Sequence, residues 1–196
     1  MIHRRRMLAL GLGAGFGLAA PALAAAQAID YDQLGIQPLG LDPASAEPRA
    51  ITLKNLHTDE SVDAVYWEKG AYVPDALEAV NGVLRDFRTN EVHPINPGLL
   101  DLLTDLRGVV GSGQPFQVIS GFRSAQTNAM LRERSAEVAQ HSLHMDGLAI
   151  DLYLDDVDLD RLHAAALDLG RGGVGYYPVT KFVHLDVGPV RQWQGA

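Results

Sequence analysis

The order of apolar and polar positions divides the chain into segments of two periods. Leu77, Val80, Leu84 and Phe87 recur at helical spacing within residues 74–89, and Leu99, Leu102, Leu103 and Leu106 within residues 99–110. Pro74 stands near the first turn of one segment and Asn96-Pro97 just ahead of the other. Such positions suit a helix start, where the N–H that proline lacks would go unbonded anyway. Two more helices are predicted over residues 128–139 and 158–169. Elsewhere the chain reads as strands: residues 50–56 and 61–67 around the polar turn 57–60, and a short one at 117–120. Over residues 147–154, Ile150, Leu152 and Leu154 face one way while Asp151 and Tyr153 face the other. Over residues 182–188, Val183, Leu185 and Val187 make one face, with Phe182, His184 and Asp186 opposite. Helices come first and short strands cluster late. The predicted class is therefore α+β, a small antiparallel sheet packed with helices.

Two of these strands expose chemistry on the face turned away from their apolar residues. With His144 just upstream, they supply two imidazoles and a carboxylate: His144, Asp151 and His184. That is the donor set of a catalytic zinc site, with three protein ligands and a fourth position left open. The chain has no cysteine, which excludes disulfides and thiolate metal sites. His57, His93 and His163 read as structural or surface residues. His141 lies three before His144, but Ser142 and Gly147 suggest a loop there, so it ranks as a supporting group at best.

At 196 residues and 47% hydrophobic content, the chain supports one domain with a proper core. Its formal charge is −8, and beyond the start its basic residues are scattered, which excludes a nucleic-acid-binding face. Residues 1–26 read as an export signal. Arg4, Arg5 and Arg6 precede an apolar Gly/Ala/Leu stretch, and Ala22-Leu23-Ala24 offers a cleavage site. The arginine pair before Met7-Leu8 suits the twin-arginine route, with the general secretory route or a single membrane anchor as the alternatives, the anchor being the weaker because the apolar stretch is short and glycine-rich. Of the 16 basic residues, removing those three leaves 13 against 24 acidic ones, a charge near −11. Residues 27–49 read as a linker or arm and 50–196 as the domain. The expectation is an exported, periplasmic protein with no stable membrane association after cleavage.

Together these residues carry a resemblance. Ser142-x-His144-x-x-Gly147-x-Ala149-x-Asp151, followed by a strand-borne His184, resembles the zinc D-Ala-D-Ala carboxypeptidases and VanX-type peptidases. So does Ser120-Gly121-Phe122-Arg123-Ser124 with Thr127-Asn128 after it. The chain is most similar to the YcbK-like branch of exported murein endopeptidases. The shared features are the His-Thr-x-Glu and Tyr-Trp hairpin (with Asp59 inserted before Glu60), Arg85-Asp86-x-Arg88-Thr89, Gly-Gly-Val-Gly-Tyr-Tyr-Pro, and Phe182-Val183-His184-x-Asp186.

The resemblance implies a hedgehog-like fold with the zinc site on its sheet. His144, Asp151 and His184 would be the zinc ligands, and Arg123 would face the substrate's carbonyl or carboxylate. Ser142 would join Arg123 in substrate binding. The implied substrates are peptidoglycan stem peptides or cross-links, with an L,D-type link between diaminopimelate residues as the expected bond. One departure matters. VanX-type members carry a general-base Glu three residues before the last ligand His, and here that position is Lys181. Asp186, two residues past His184 and on the same strand face, is the local substitute, either as proton acceptor or as a carboxylate orienting an imidazole. Other readings are a D,D- or L,D-carboxypeptidase, a metal-containing peptidoglycan-binding module without hydrolysis, and an iron oxygenase using the same two-His, one-carboxylate set. Tyr176 and Tyr177 read as packing residues, with a wall of the cleft as the other option for the pair.

Overall fold

The computed structural model describes residues 47–135 and 138–195, so the segment expected as an export signal and the expected arm up to residue 46 lie outside the described residues. Each helical segment predicted from periodicity forms a helix, with ends set by local chemistry. α1 (Pro74–Val83) starts on its proline and buries Leu77, Val80 and Val83. It stops well short of residue 89 because the chain closes a loop there. The Asp86 amide bonds the Glu91 carbonyl at 3.0 Å and the Asn90 amide bonds the Asp86 carbonyl at 2.7 Å. α2 (Pro97–Val110) is capped by Asn96, whose side chain accepts from the Gly98 amide, and it ends on Gly111 at φ 68°. That left-handed turn is one a β-carbon would strain. α3 (Ala125–Arg134) begins three residues earlier than predicted, because the Ser124 hydroxyl accepts from the Thr127 amide. α4 (Leu159–Leu169) follows the expected segment.

The strands are β1 (Arg49–Asn55), β2 (Ser61–Glu68), β3 (Ala71–Tyr72), β4 (Phe116–Ser120), β5 (Ala149–Tyr153), β6 (Gly173–Tyr177), β7 (Phe182–Asp186) and β8 (Arg191–Gln194). They form one sheet in the order β3-β2-β1-β4-β5-β7-β6-β8. The α+β class holds, but the sheet is neither small nor wholly antiparallel. β1 and β4 run parallel, as do β6 and β8. The first of these pairings follows from α1 and α2 lying between the two strands, since a helical crossover can return the chain to start in the same direction. β8 lies outside β6 with β7 on the other side, so its direction copies β6.

The helices pack against the apolar face of this sheet: α1 on β1 and β2, α2 on β1 and α4, α4 on β6 and β7. Ile51, Leu53, Val118, Ile150, Leu152, Val183 and Leu185 are buried there. Full burial of one such side chain contributes about 1.5–3 kcal/mol, so the apolar half of each strand fixes which residues face the other way. Among the described residues no helix is long and apolar enough to cross a membrane.

Candidate metal centre

The register of β5 against β7 builds the site. Ile150 pairs with Leu185, Leu152 with Val183, and Asp151 with His184. Because side chains alternate, burial of the four aliphatic residues sends Asp151 and His184 out together on the opposite face. His144 arrives from the 3₁₀ turn Leu143–Asp146, which leads directly into β5.

Three ligand atoms meet there. His144 Nε2 lies 3.2 Å from both His184 Nδ1 and Asp151 Oδ1, and His184 Nδ1 lies 2.8 Å from Asp151 Oδ1. A tetrahedral zinc with bonds of about 2.0–2.1 Å would hold its ligands roughly 3.3 Å apart. The outer nitrogens settle which ring atoms remain for a metal. His144 Nδ1 donates to the Gly121 carbonyl at 2.8 Å, and His184 Nε2 donates to Asp186 Oδ2 at 3.1 Å. Each ring's outer nitrogen donates outward, while burial, which would lower the pKa of His184, is outweighed by the carboxylates at both its nitrogens, so a cation, proton or metal, is drawn to the point where the three inner atoms meet. Acceptors facing each other in a buried site repel unless a cation sits among them, so the donor set fits a metal. His144, Asp151 and His184 are all buried. Burial pushes the His144 imidazole below its ordinary pKa, which keeps it neutral. Burial would raise Asp151, but the two imidazoles outweigh it and hold the carboxyl well below the usual carboxylate range.

Asp186 is fully buried and closed in by donors. Oδ1 accepts from the Gly173 amide at 3.0 Å, the Gly188 amide at 2.8 Å and Arg191 Nη1 at 3.0 Å. Oδ2 accepts from Arg191 Nη2 at 2.7 Å and from His184. Burial would raise its pKa, yet these donors together hold it well below the carboxylate range. Five donors saturate the lone pairs of a carboxylate. No side of Asp186 is left to take a proton from water.

Arg123 approaches from the segment after β4. Its Nη2 is 3.7 Å from Asp151 Oδ2, and its hydrogen bonds to Asn128 and Ser120 are long, at 3.4 Å each. Its Nε is buried with no partner among the described residues. The backbone that carries it is tied on every side. The Phe122 amide bonds the Leu84 carbonyl at 2.8 Å and the Arg123 amide bonds the His144 carbonyl at 3.1 Å. Asp86 Oδ2 accepts from the Ser124 amide at 2.9 Å and from its hydroxyl at 2.6 Å. Burial opposes ionisation of Asp86, but the Ser124 and Thr127 donors outweigh it and lower its pKa to about 2.

A cleft of ≈ 450 Å³ opens over the three ligands, lined among others by Arg123, His141, Ser142, Tyr177, Arg191 and Trp193. Asp151 is the sole carboxylate lining it among the described residues. The structure thus brings Arg123 and Ser142 to the cleft and leaves Asp186 behind it. His141 is exposed on the rim. His57, His93 and His163 lie elsewhere, stacked on Phe87, Phe122 and Tyr176. Sequence reasoning missed Arg191 and Trp193, which come from a four-residue strand with no periodic signal. It also gave Asp86 no role, although Arg85-Asp86-x-Arg88-Thr89 had been singled out as a motif.

An open mixed sheet with a His-Asp-His cluster on its polar face defines the class. More closely, residues 43–193 match the family described as Peptidoglycan L,D-endopeptidase MepK (Peptidase_M15_2), and the chain belongs to that family. It is 41% identical over 194 residues to the peptidoglycan L,D-endopeptidase MepK of Escherichia coli (strain K12), covering 97% of each chain. It is 38% identical over 153 residues to the probable peptidoglycan L,D-endopeptidase MepK of Haemophilus influenzae, covering 78% of this chain and 82% of that one. No solved structure matches.

Proposed function

We propose that this protein is an exported, zinc-dependent peptidoglycan endopeptidase that cuts L,D-type cross-links between diaminopimelate residues. The observation that carries the metal is the meeting of three buried ligand atoms, His144 Nε2, Asp151 Oδ1 and His184 Nδ1, with the outer nitrogen of each ring held by an acceptor. The names borne by the relatives support the substrate and bond. A zinc ion in this site supplies Lewis acidity toward the scissile carbonyl and a water nucleophile at neutral pH.

The chain's own residues do the rest. The Gly121 carbonyl and the Asp186 carboxylate fix the two imidazole rings and their tautomers. Arg123 stands beside Asp151 with its guanidinium on the cleft, placed to bind the carbonyl oxygen as it gains charge. Ser142 lines the approach to the same point. Of the two roles open to Asp186, saturation by five donors supports that of orienting His184. The binding-module reading keeps one supporting observation, Lys181 standing where VanX-type members carry a general-base Glu. The iron-oxygenase reading has less support, because the sheet is open rather than a barrel.

Digestion of purified peptidoglycan with and without chelator tests the proposal. Cross-linked muropeptides should disappear only with zinc present. Retained zinc and retained binding without product would favour the module.

A further inference from the structure

β8 reaches the metal centre with two side chains, although no ligand comes from it. The strand is four residues long, lies at the edge of the sheet and pairs with β6 alone. Arg191, Gln192 and Gln194 are exposed, so burial of apolar surface does little to explain its sequence. Side chains two apart share a face, which sends Arg191 and Trp193 the same way. β6 lies between them and β7, and it carries glycine opposite both: Gly173 pairs with Arg191 and Gly175 with Trp193. Gly175 also pairs with His184 on its other side. A β-carbon at residue 173 would meet Asp186 Oδ2 and come within 2.5 Å of Arg191 Nη1, and one at residue 175 would come within 2.6 Å of the indole. Two bare positions on β6 thus let two side chains of β8 reach across to β7.

What they reach is the His184 ring, by separate routes. Arg191 grips Asp186 at both oxygens, Nη1 on Oδ1 at 3.0 Å and Nη2 on Oδ2 at 2.7 Å. A carboxylate held at one oxygen can still turn about its bond to the β-carbon, whereas a planar fork on both oxygens fixes its plane. That fixes the direction in which Oδ2 accepts from His184 Nε2. Trp193 acts on the ring without an intermediary, its indole 5.1 Å from the imidazole, centroid to centroid, and tilted 53° to it. The indole is held in turn, since its N–H donates to Tyr177 Oη at 2.9 Å and the Arg191 guanidinium lies 5.0 Å over its ring. One partner aims the imidazole and the other limits its tilt, so the inner lone pair of His184 keeps one direction.

We propose that Arg191 and Trp193 are positioning residues of the metal centre, through which β8 locks the His184 ring and tightens metal binding, Arg191 by way of Asp186 and Trp193 by direct contact. The inference rests on the zinc-site reading and extends it to a strand outside the ligand set.

The test is zinc affinity of the full chain, measured by competition with a chromophoric chelator, with the thermal midpoint of the chelated protein alongside. Arg191→Ala should weaken zinc binding by about 10–100-fold, the range for loss of a group that orients a ligand, while the chelated midpoint stays within a few degrees of wild type. Arg191→Lys should rescue little, because one ammonium cannot span both oxygens. Added to Asp186→Asn, Arg191→Ala should cost almost nothing more, since it acts through that carboxylate. Trp193→Ala should weaken zinc by a smaller factor, and Trp193→Phe, which keeps a flat ring there, should recover part of the loss. Wild-type zinc affinity in Arg191→Lys overturns the role of the fork, as does an Arg191→Ala loss that repeats in full beside Asp186→Asn. Wild-type affinity in Trp193→Ala overturns that of the indole. Should Arg191→Ala not fold, Arg191→Lys decides by the same readout. A wild-type chain that takes up no zinc overturns the zinc-site reading itself, whereas tight zinc in wild type and in the β8 variants alike overturns this inference alone.

Discussion

At Arg123 the decisive feature is incomplete satisfaction. Its guanidinium is nearly buried, yet its bonds to Ser120 and Asn128 are stretched and its Nε has no partner among the described residues. A buried donor left short of partners carries a cost, and such a cost persists where a ligand relieves it. Arg123→Ala should therefore keep zinc and lose about 100- to 1000-fold in kcat, read on a cross-linked muropeptide substrate. Lys should rescue little, since a point charge does not reproduce the planar fork. Asp186 presents the opposite case, a carboxylate with every lone pair used. Asp186→Asn should weaken zinc affinity by about 10–100-fold through a misdirected His184, with turnover recovering at saturating metal. Tight zinc binding combined with lost turnover in that variant would restore Asp186 as the proton acceptor.

Among the elements, those carrying the proposed ligands were the most legible. Alternation in residues 147–154 and 182–188 already separated Asp151 and His184 from the core, and the β5–β7 register places them opposite one another. The same alternation put Asp186 on the His184 face but could not show how enclosed it is. That enclosure comes from Gly173, Gly188 and Arg191, on other segments whose contacts no local period encodes. β8 escaped notice for the same reason: four residues, mostly polar, ordered by pairing with β6 rather than by pattern. The parallel pairings were equally hidden, being properties of connection rather than of strand sequence.

The link from Asp86 to α3 shows what such long-range contacts contribute. Asp86 bonds Ser124, the residue that caps α3, and so holds the backbone on which Arg123 stands. Its pKa is lowered from 3.8 to about 2. A carboxyl with a depressed folded-state pKa stabilises the fold above its unfolded pKa, and that contribution is lost as pH falls through the folded value. Asp86 should therefore contribute about 2 kcal/mol at neutral pH that disappears between roughly pH 4 and 2. Denaturant unfolding of chelated wild type and Asp86→Asn across that window checks this. The stability difference between them should shrink as pH falls, and a constant difference would remove the ionised carboxylate from the account.

At the scale of the molecule, the proposed metal centre would join parts of the chain that the core alone connects only from the other face. His144 comes from the turn before β5, Asp151 from β5 and His184 from β7, while Gly121 and Asp186 hold the rings from the β4 exit and the end of β7. A cation bound to all three ligands belongs to the folded state, since the unfolded chain spreads them over 40 residues. Binding then adds stability by mass action, about 4 kcal/mol at a free zinc concentration ~1,000 times the dissociation constant. For a domain of this size each kcal/mol moves the midpoint by about 2–4 °C, so saturating zinc should raise it by roughly 8–16 °C over chelated protein. Asp151→Ala removes the one charged ligand while leaving Ile150, Leu152 and the β5–β7 pairing intact. It should fold, bind little zinc and show almost none of that rise. His57→Ala and His163→Ala should respond to zinc as wild type does, because those rings lie outside the cleft. A full zinc-induced rise in Asp151→Ala would place the metal elsewhere.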